Sequence, residues 1–101
     1  MKRTLKAWGK VMCPEVKYIA PSRPVMRFAL VEQDKEGKQT WHPCAAWGDT
    51  AAKMSRLSEG DMIEVEAKTV TRPFMGKMGT RRIVTEHIVH SYKQLHAQGK
   101  G

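Results

Sequence analysis

Apolar and polar residues alternate along most of the chain. Over Leu5–Val11, Leu5, Ala7 and Val11 take one side and Lys6, Trp8 and Lys10 the other. A period of two predicts a half-exposed strand. Gly9 inside it predicts a bulge or a sharp bend. Ala20–Pro24 reads as a turn, because its two prolines cannot donate to a ladder. Val25–Gln33 reads as a second strand with Met26, Phe28 and Leu30 inward, and Asp34–Gln39 as a polar hairpin loop containing Gly37. Thr40–Gly48 is the third strand. Its alternation sets Trp41, Pro43, Ala45 and Trp47 on one side, and His42, Cys44 and Ala46 on the other.

The period then changes. Ala51, Met54 and Leu57 recur at helical spacing, with Asp49 or Thr50 as the expected N-cap and Gly60 as the stop, over about two to three turns. Met62–Arg72 alternates strictly again, with Ile63, Val65 and Ala67 on one side. "PFMGKMG" reads as a loop with two glycines, and Arg81–Tyr92 as the last strand. Three strands, a short helix and two strands give an all-β fold in OB-fold order, a small, partly open five-stranded Greek-key barrel. The expected domain is 1–93, with 94–101 a short, flexible, basic tail.

A length of 101 residues suits one domain. No apolar run is long enough to span a membrane. The start is basic like a signal peptide, but Lys6 and Lys10 interrupt the apolar stretch, so a cytoplasmic location is expected. Cys13 and Cys44 show no CxxC spacing, and two reduced, largely buried thiols are expected. Charge changes the picture more. Eighteen Lys+Arg against ten Asp+Glu give a net +8, a field that attracts polyanions.

Binding an unpaired strand needs cations against phosphates and aromatic faces against bases. Two indoles pointing inward would overfill a small barrel, whereas Cys44 and Ala46 suit its inside, so Trp41 and Trp47 are expected on a nucleic-acid face. Pro43 points to a bulge or an edge beside them. Arg72, Lys77, Arg81 and Arg82 bracket Phe74 around a glycine-containing hairpin, with no acidic residue between Val70 and Val84. Phe74 either stacks on a base or closes the hairpin against Met75 or Met78. Lys6, Trp8 and Lys10 repeat the basic-aromatic pattern, and Trp8 has a subunit contact as its alternative. Cys13, His42, Cys44 and His87 fit no standard zinc spacing, so neither a metal nor a cofactor is expected. P-loop, GxSxG and HExxH signatures are absent. Asp49, Glu59 and Asp61 read as cap and turn residues. No enzyme is expected.

Four stretches occur in a familiar order: "PEVKY" (Pro14–Tyr18), "WHPCAAWG" (Trp41–Gly48), "LSEGDMIEVEA" (Leu57–Ala67) and "TVTRPF" (Thr69–Phe74). Together they resemble the bacterial single-stranded-DNA-binding protein family over about Leu5–Tyr92. The resemblance implies an OB-fold that binds single strands without strong sequence preference, in DNA replication, recombination or repair. It implies stacking roles for Trp41, Trp47 and Phe74, and a subunit-interface position for His42. A fourth aromatic usual in the family has no counterpart in "VEQDKEG". Family members usually carry a flexible linker and an acidic tip that recruits other proteins. The short basic end "HAQGKG" leaves no expectation of tail-mediated recruitment. A homo-oligomer is implied, since members are usually tetramers and primosomal relatives dimers. The implied setting is the bacterial nucleoid, or a phage or plasmid. Two other readings remain open at this point: a primosomal-type accessory protein acting through protein contacts, and an RNA-binding OB module.

Overall fold

The computed structural model describes residues 3–96. Five strands, β1 (Arg3–Ala20), β2 (Arg23–Gln33), β3 (Gln39–Trp47), β4 (Met62–Met75) and β5 (Arg81–His96), and one helix, α1 (Gly48–Met54), follow the expected order. The strands close into a barrel of order β1-β2-β3-β5-β4. Closure comes from a short parallel pairing, Cys44 opposite His87 and Ala45 opposite Ile88. The barrel is therefore closed where the sequence suggested a partly open one.

The interior follows from the alternation. Val11, Met26, Phe28, Leu30, Cys44, Ala46, Ile63 and Val65 form one buried cluster. Ala51 and Met54 of α1 and Leu57 join it, so the apolar stripe of the helix packs against the barrel core. Burial pushes the Cys44 thiol up to about 12, and it stays protonated throughout the ordinary pH range. Cys13, by contrast, is exposed, which corrects the expectation of two buried thiols.

Cys13 is exposed because the bulge of β1 falls there and not at Gly9. The register with β2 shifts between Met12 and Glu15, and Cys13 has φ 54°. Pro14 has no N–H, so a bulge is where a strand tolerates it. The Cys13 N–H donates to Glu59 Oε1 at 2.9 Å. With the bulge accommodated, β1 runs on through "PEVKY" to Ala20, 18 residues in all, well past the end set by its first alternation. Gly9 keeps regular pairing with Ile63 and serves a different need. A Cβ there would overlap the Val31 carbonyl oxygen and lie 2.8 Å from its carbonyl carbon.

Other boundaries move as well. The helix stops at Met54, short of Gly60, and Trp47 occupies the N-cap position without a side-chain cap, so neither Asp49 nor Thr50 caps it. Gly60, at φ 95°, instead turns the chain into β4, where its N–H donates to the Val11 carbonyl at 2.7 Å. Asp61 Oδ2 accepts from the Ser58 N–H at 2.8 Å within that turn. The β2–β3 hairpin is held by Asp34, whose Oδ1 accepts from the N–H groups of Glu36 and Lys38, each at 2.9 Å. Strand β5 reaches His96, three residues into the stretch read as tail; residues 97–101 lie outside the described residues.

Candidate nucleic-acid interface

The outer side of the barrel, opposite the core, carries the aromatics. Trp8, Trp41 and Trp47 are 53%, 51% and 43% exposed. On β3 the inward positions Cys44 and Ala46 belong to the core cluster, and this parity sends both indoles of the strand outward. Six residues at about 3.3 Å each separate them by roughly 20 Å along the strand, so they serve different parts of the face.

Trp41 shares a cleft of about 250 Å3 with Trp8 and Lys10. The register explains the grouping. Lys10 lies opposite Val31 across β1–β2, and Val31 lies opposite Trp41 across β2–β3. Trp47 lines a separate depression with Ile19, Arg23 and Pro24. The Arg27 guanidinium sits 5.9 Å from its ring centroid, within cation–π range. Arg27 Nε also donates to Glu86 Oε2 at 3.3 Å, and Arg72 Nη2 lies 3.7 Å from Glu86 Oε1.

Sequence reasoning missed this Arg27–Glu86–Arg72 group; the signal available was the place of Arg27 between the inward Met26 and Phe28. It also corrects one expectation. The stretch from Val70 to Val84 holds no acid, so along the chain Arg72 has no acidic neighbour. Glu86 lies on β5, where Arg72 pairs with Val84 and Val70 with Glu86, so pairing across the hairpin brings the acid back. The other hairpin cations differ. Among the described residues, no ion pair is found for Lys77, Arg81 or Arg82. Lys77 and Arg82 line one depression with Gly76 and Thr80, and Arg81 and Arg82 a second with Met75 and Ile83. The backbone of Phe74 pairs with Arg82 within β4–β5, so Phe74 belongs to a strand and not to the loop; its side chain lies outside the described residues.

Lys6 and Lys10 stand on the outer side of β1 as expected, but β4 sets Glu66 opposite Lys6 and Glu64 opposite Trp8. On its other side Glu64 pairs with Lys93 of β5, and among the described residues no ion pair is found for Lys6 or Lys10, so cations stand on this patch as well as on the β4–β5 hairpin.

Cys13 is exposed and Cys44 is buried, and among the described residues no group of three or more His, Cys, Asp or Glu could hold a metal ion. His42 and His87 do meet, edge to face, with centroids 5.7 Å apart. His42 Nε2 lies 3.1 Å from Glu32 Oε1, and His87 Nδ1 3.0 Å from Thr69 Oγ1. Burial, and secondarily the neighbouring His42, lower the His87 pKa. The unfolded chain therefore binds this proton more readily than the native one. Stability from His87 is present above the ordinary histidine value of about 6.5 and is lost as pH falls through the lower native value. Thermal melts at about pH 7.5 and about pH 5.5 are expected to show a loss of stability on acidification that His87→Gln reduces. An unchanged acid loss in the variant would put the effect on other groups.

The strand order, with the helix between β3 and β4, defines the barrel as an OB-fold. Among solved structures, the mitochondrial single-stranded DNA binding protein of S. cerevisiae is similar, with a TM-score of 0.76 at 12% identity over 96% of this chain and 98% of that one. The chain belongs to the single-strand binding protein family, whose profile it matches over residues 5–95. It is 31% identical to single-stranded DNA-binding protein 2 of Clostridium acetobutylicum over 94% of this chain and 77% of that protein. It is also 31% identical to a single-stranded DNA-binding protein of Malacoplasma penetrans over 68% of this chain and 38% of that one. Among the described residues, no helix is long and apolar enough to cross a membrane.

Proposed function

We propose that the protein binds single-stranded DNA without strong sequence preference, covering strands exposed in replication, recombination or repair. Bases stack on the outward indoles, and the phosphate backbone follows Lys77, Arg81 and Arg82 of the β4–β5 hairpin. The observation that carries this reading is the exposure of three tryptophans on the outside of one barrel. Large apolar rings are costly to leave in water, and a row of them beside cations suits unpaired bases on a phosphate chain. Family membership supports it. Duplex DNA hides its base faces, so charge alone would treat duplex and single strand alike, whereas stacking favours the single strand.

The test is a titration with oligo-dT, duplex of matched length and poly-U. Tryptophan fluorescence is expected to quench on oligo-dT, with duplex binding much weaker. Trp47→Ala is expected to weaken oligo-dT by roughly 1–3 kcal/mol with the fold retained. Equal affinity for duplex and single strand would overturn the stacking reading, and preference for poly-U would transfer the site to RNA.

A further inference from the structure

We infer that Trp8 and Trp41 wall a pocket for one unpaired nucleobase, and that the side-chain amides of Gln33 and Gln39 meet the edge of that base. The inference rests on the single-strand binding proposed above and deepens it, because it adds a place where base identity is felt.

The pocket is built by the way three strands meet. Val31 is buried but lies outside the interior cluster, so it is covered from the outer side. Trp8, Lys10 and Trp41 line the cleft over it. Gly9 lets β1 come close enough for this. Its missing side chain leaves room for the Val31 carbonyl, which brings Trp8 on β1 near Trp41 on β3 with one strand between them. Both indoles are half exposed, and among the described residues neither stacks on another aromatic ring.

The lining chemistry selects the occupant. Gln33 and Gln39 are directly opposite each other in the last pair of the β2–β3 ladder, and both line the same cleft. Each amide offers donors and an acceptor. A flat ring with mixed donors and acceptors along its edge matches two indole walls and two amides. An aliphatic protein side chain would leave the amides without partners. Lys10 at the same cleft supplies a cation for the adjoining phosphate. A volume of about 250 Å3 falls below the roughly 300–1,000 Å3 of sites for drug-sized ligands and has room for a base.

Two walls on one base make a specific demand: the walls must be coupled. Trp8→Ala and Trp41→Ala are each expected to weaken oligo-dT by about tenfold. Trp8→Ala/Trp41→Ala together should lose well under the product of the two, since residues sharing a partner are not additive. Trp8→Ala/Trp47→Ala should lose the full product, about a hundredfold. Gln33→Leu/Gln39→Leu is expected to change the ratio of oligo-dA to oligo-dT affinity severalfold while the salt dependence stays as it was. That variant touches no core residue and tests the pocket even if Trp8→Ala folds poorly; Trp8→Phe should keep most of the binding. Parent-like affinity for Trp8→Ala, with Trp47→Ala weakened, would overturn the pocket and leave Trp8 to a protein contact, as would a full product for Trp8→Ala/Trp41→Ala or an unchanged base ratio in the glutamine variant. Absence of single-strand binding by the unaltered protein would overturn the underlying function instead.

Discussion

Replacing Lys77, Arg81 and Arg82 together by glutamine is expected to weaken oligo-dT binding on the order of a hundredfold at about 0.1 M salt. Each cation paired to a phosphate contributes about −0.7 to the slope of log K against log salt on a single strand, so three of them make it shallower by about 2.1. At about 0.1 M salt, each such contact is worth roughly fivefold, and three multiply to the figure above. The loss should be the same for oligo-dT and for mixed sequences, because phosphates are common to both. Arg72→Gln should do less, since Glu86 at 3.7 Å already holds part of its charge. Lys6→Gln should also do little, with Glu66 opposite it on β4. The measurement is a series of titrations across salt. A slope unchanged in the triple variant would take the phosphate path off the hairpin, and Arg23 beside Trp47 would be the next cation to neutralise.

The fold was legible because alternation is a local property. Met26, Phe28 and Leu30 are buried as their spacing requires, and so are Ile63, Val65 and Ala67. The outward turn of Trp41 and Trp47 was legible for the same reason. What failed was whatever depends on a partner strand. The extension of β1 past Met12 depends on a bulge that only the register with β2 defines. The partial neutralisation of Arg72 needs β4 and β5 to pair before Glu86 can reach it. The place of Glu66 opposite Lys6 needs β1 beside β4. Helix length failed differently. Leu57 keeps the helical spacing and joins the core, but it does so from the turn beyond Ser55, so the period of burial outlasts the helix. Candidate residues could be picked one at a time, but their grouping into a Trp8–Trp41 cleft and a separate Trp47 site could not, because three strands lie between sequence and surface.

Gly9→Ala is expected to destabilise the protein by about 3 kcal/mol or more, a large part of the ~5–15 kcal/mol that holds a typical domain together. The reason is the nature of the obstacle. The added methyl would overlap the Val31 carbonyl oxygen, with the Glu32 nitrogen also only 3.2 Å away. These are backbone atoms within the β1–β2–β3 ladder, which cannot rotate aside as the end of a side chain can. To make room, β2 must move outward where Lys10 meets Val31, and the pairings on both sides of it must strain. Gly79→Ala is the informative contrast. Its φ is 74° and nothing lies within 4 Å of the added carbon, so the cost is the left-handed conformation alone, about 1–2 kcal/mol. Urea unfolding of the two variants separates close approach from backbone conformation. A Gly9→Ala protein that remains folded should also bind oligo-dT more weakly, because the displaced strand carries Val31 under the Trp8–Trp41 cleft, whereas Gly79→Ala should leave that cleft as it was. If Gly9→Ala unfolds at the same urea concentration as the parent, β2 yields easily at this point, and the close packing of the two strands does not hold the indoles in place.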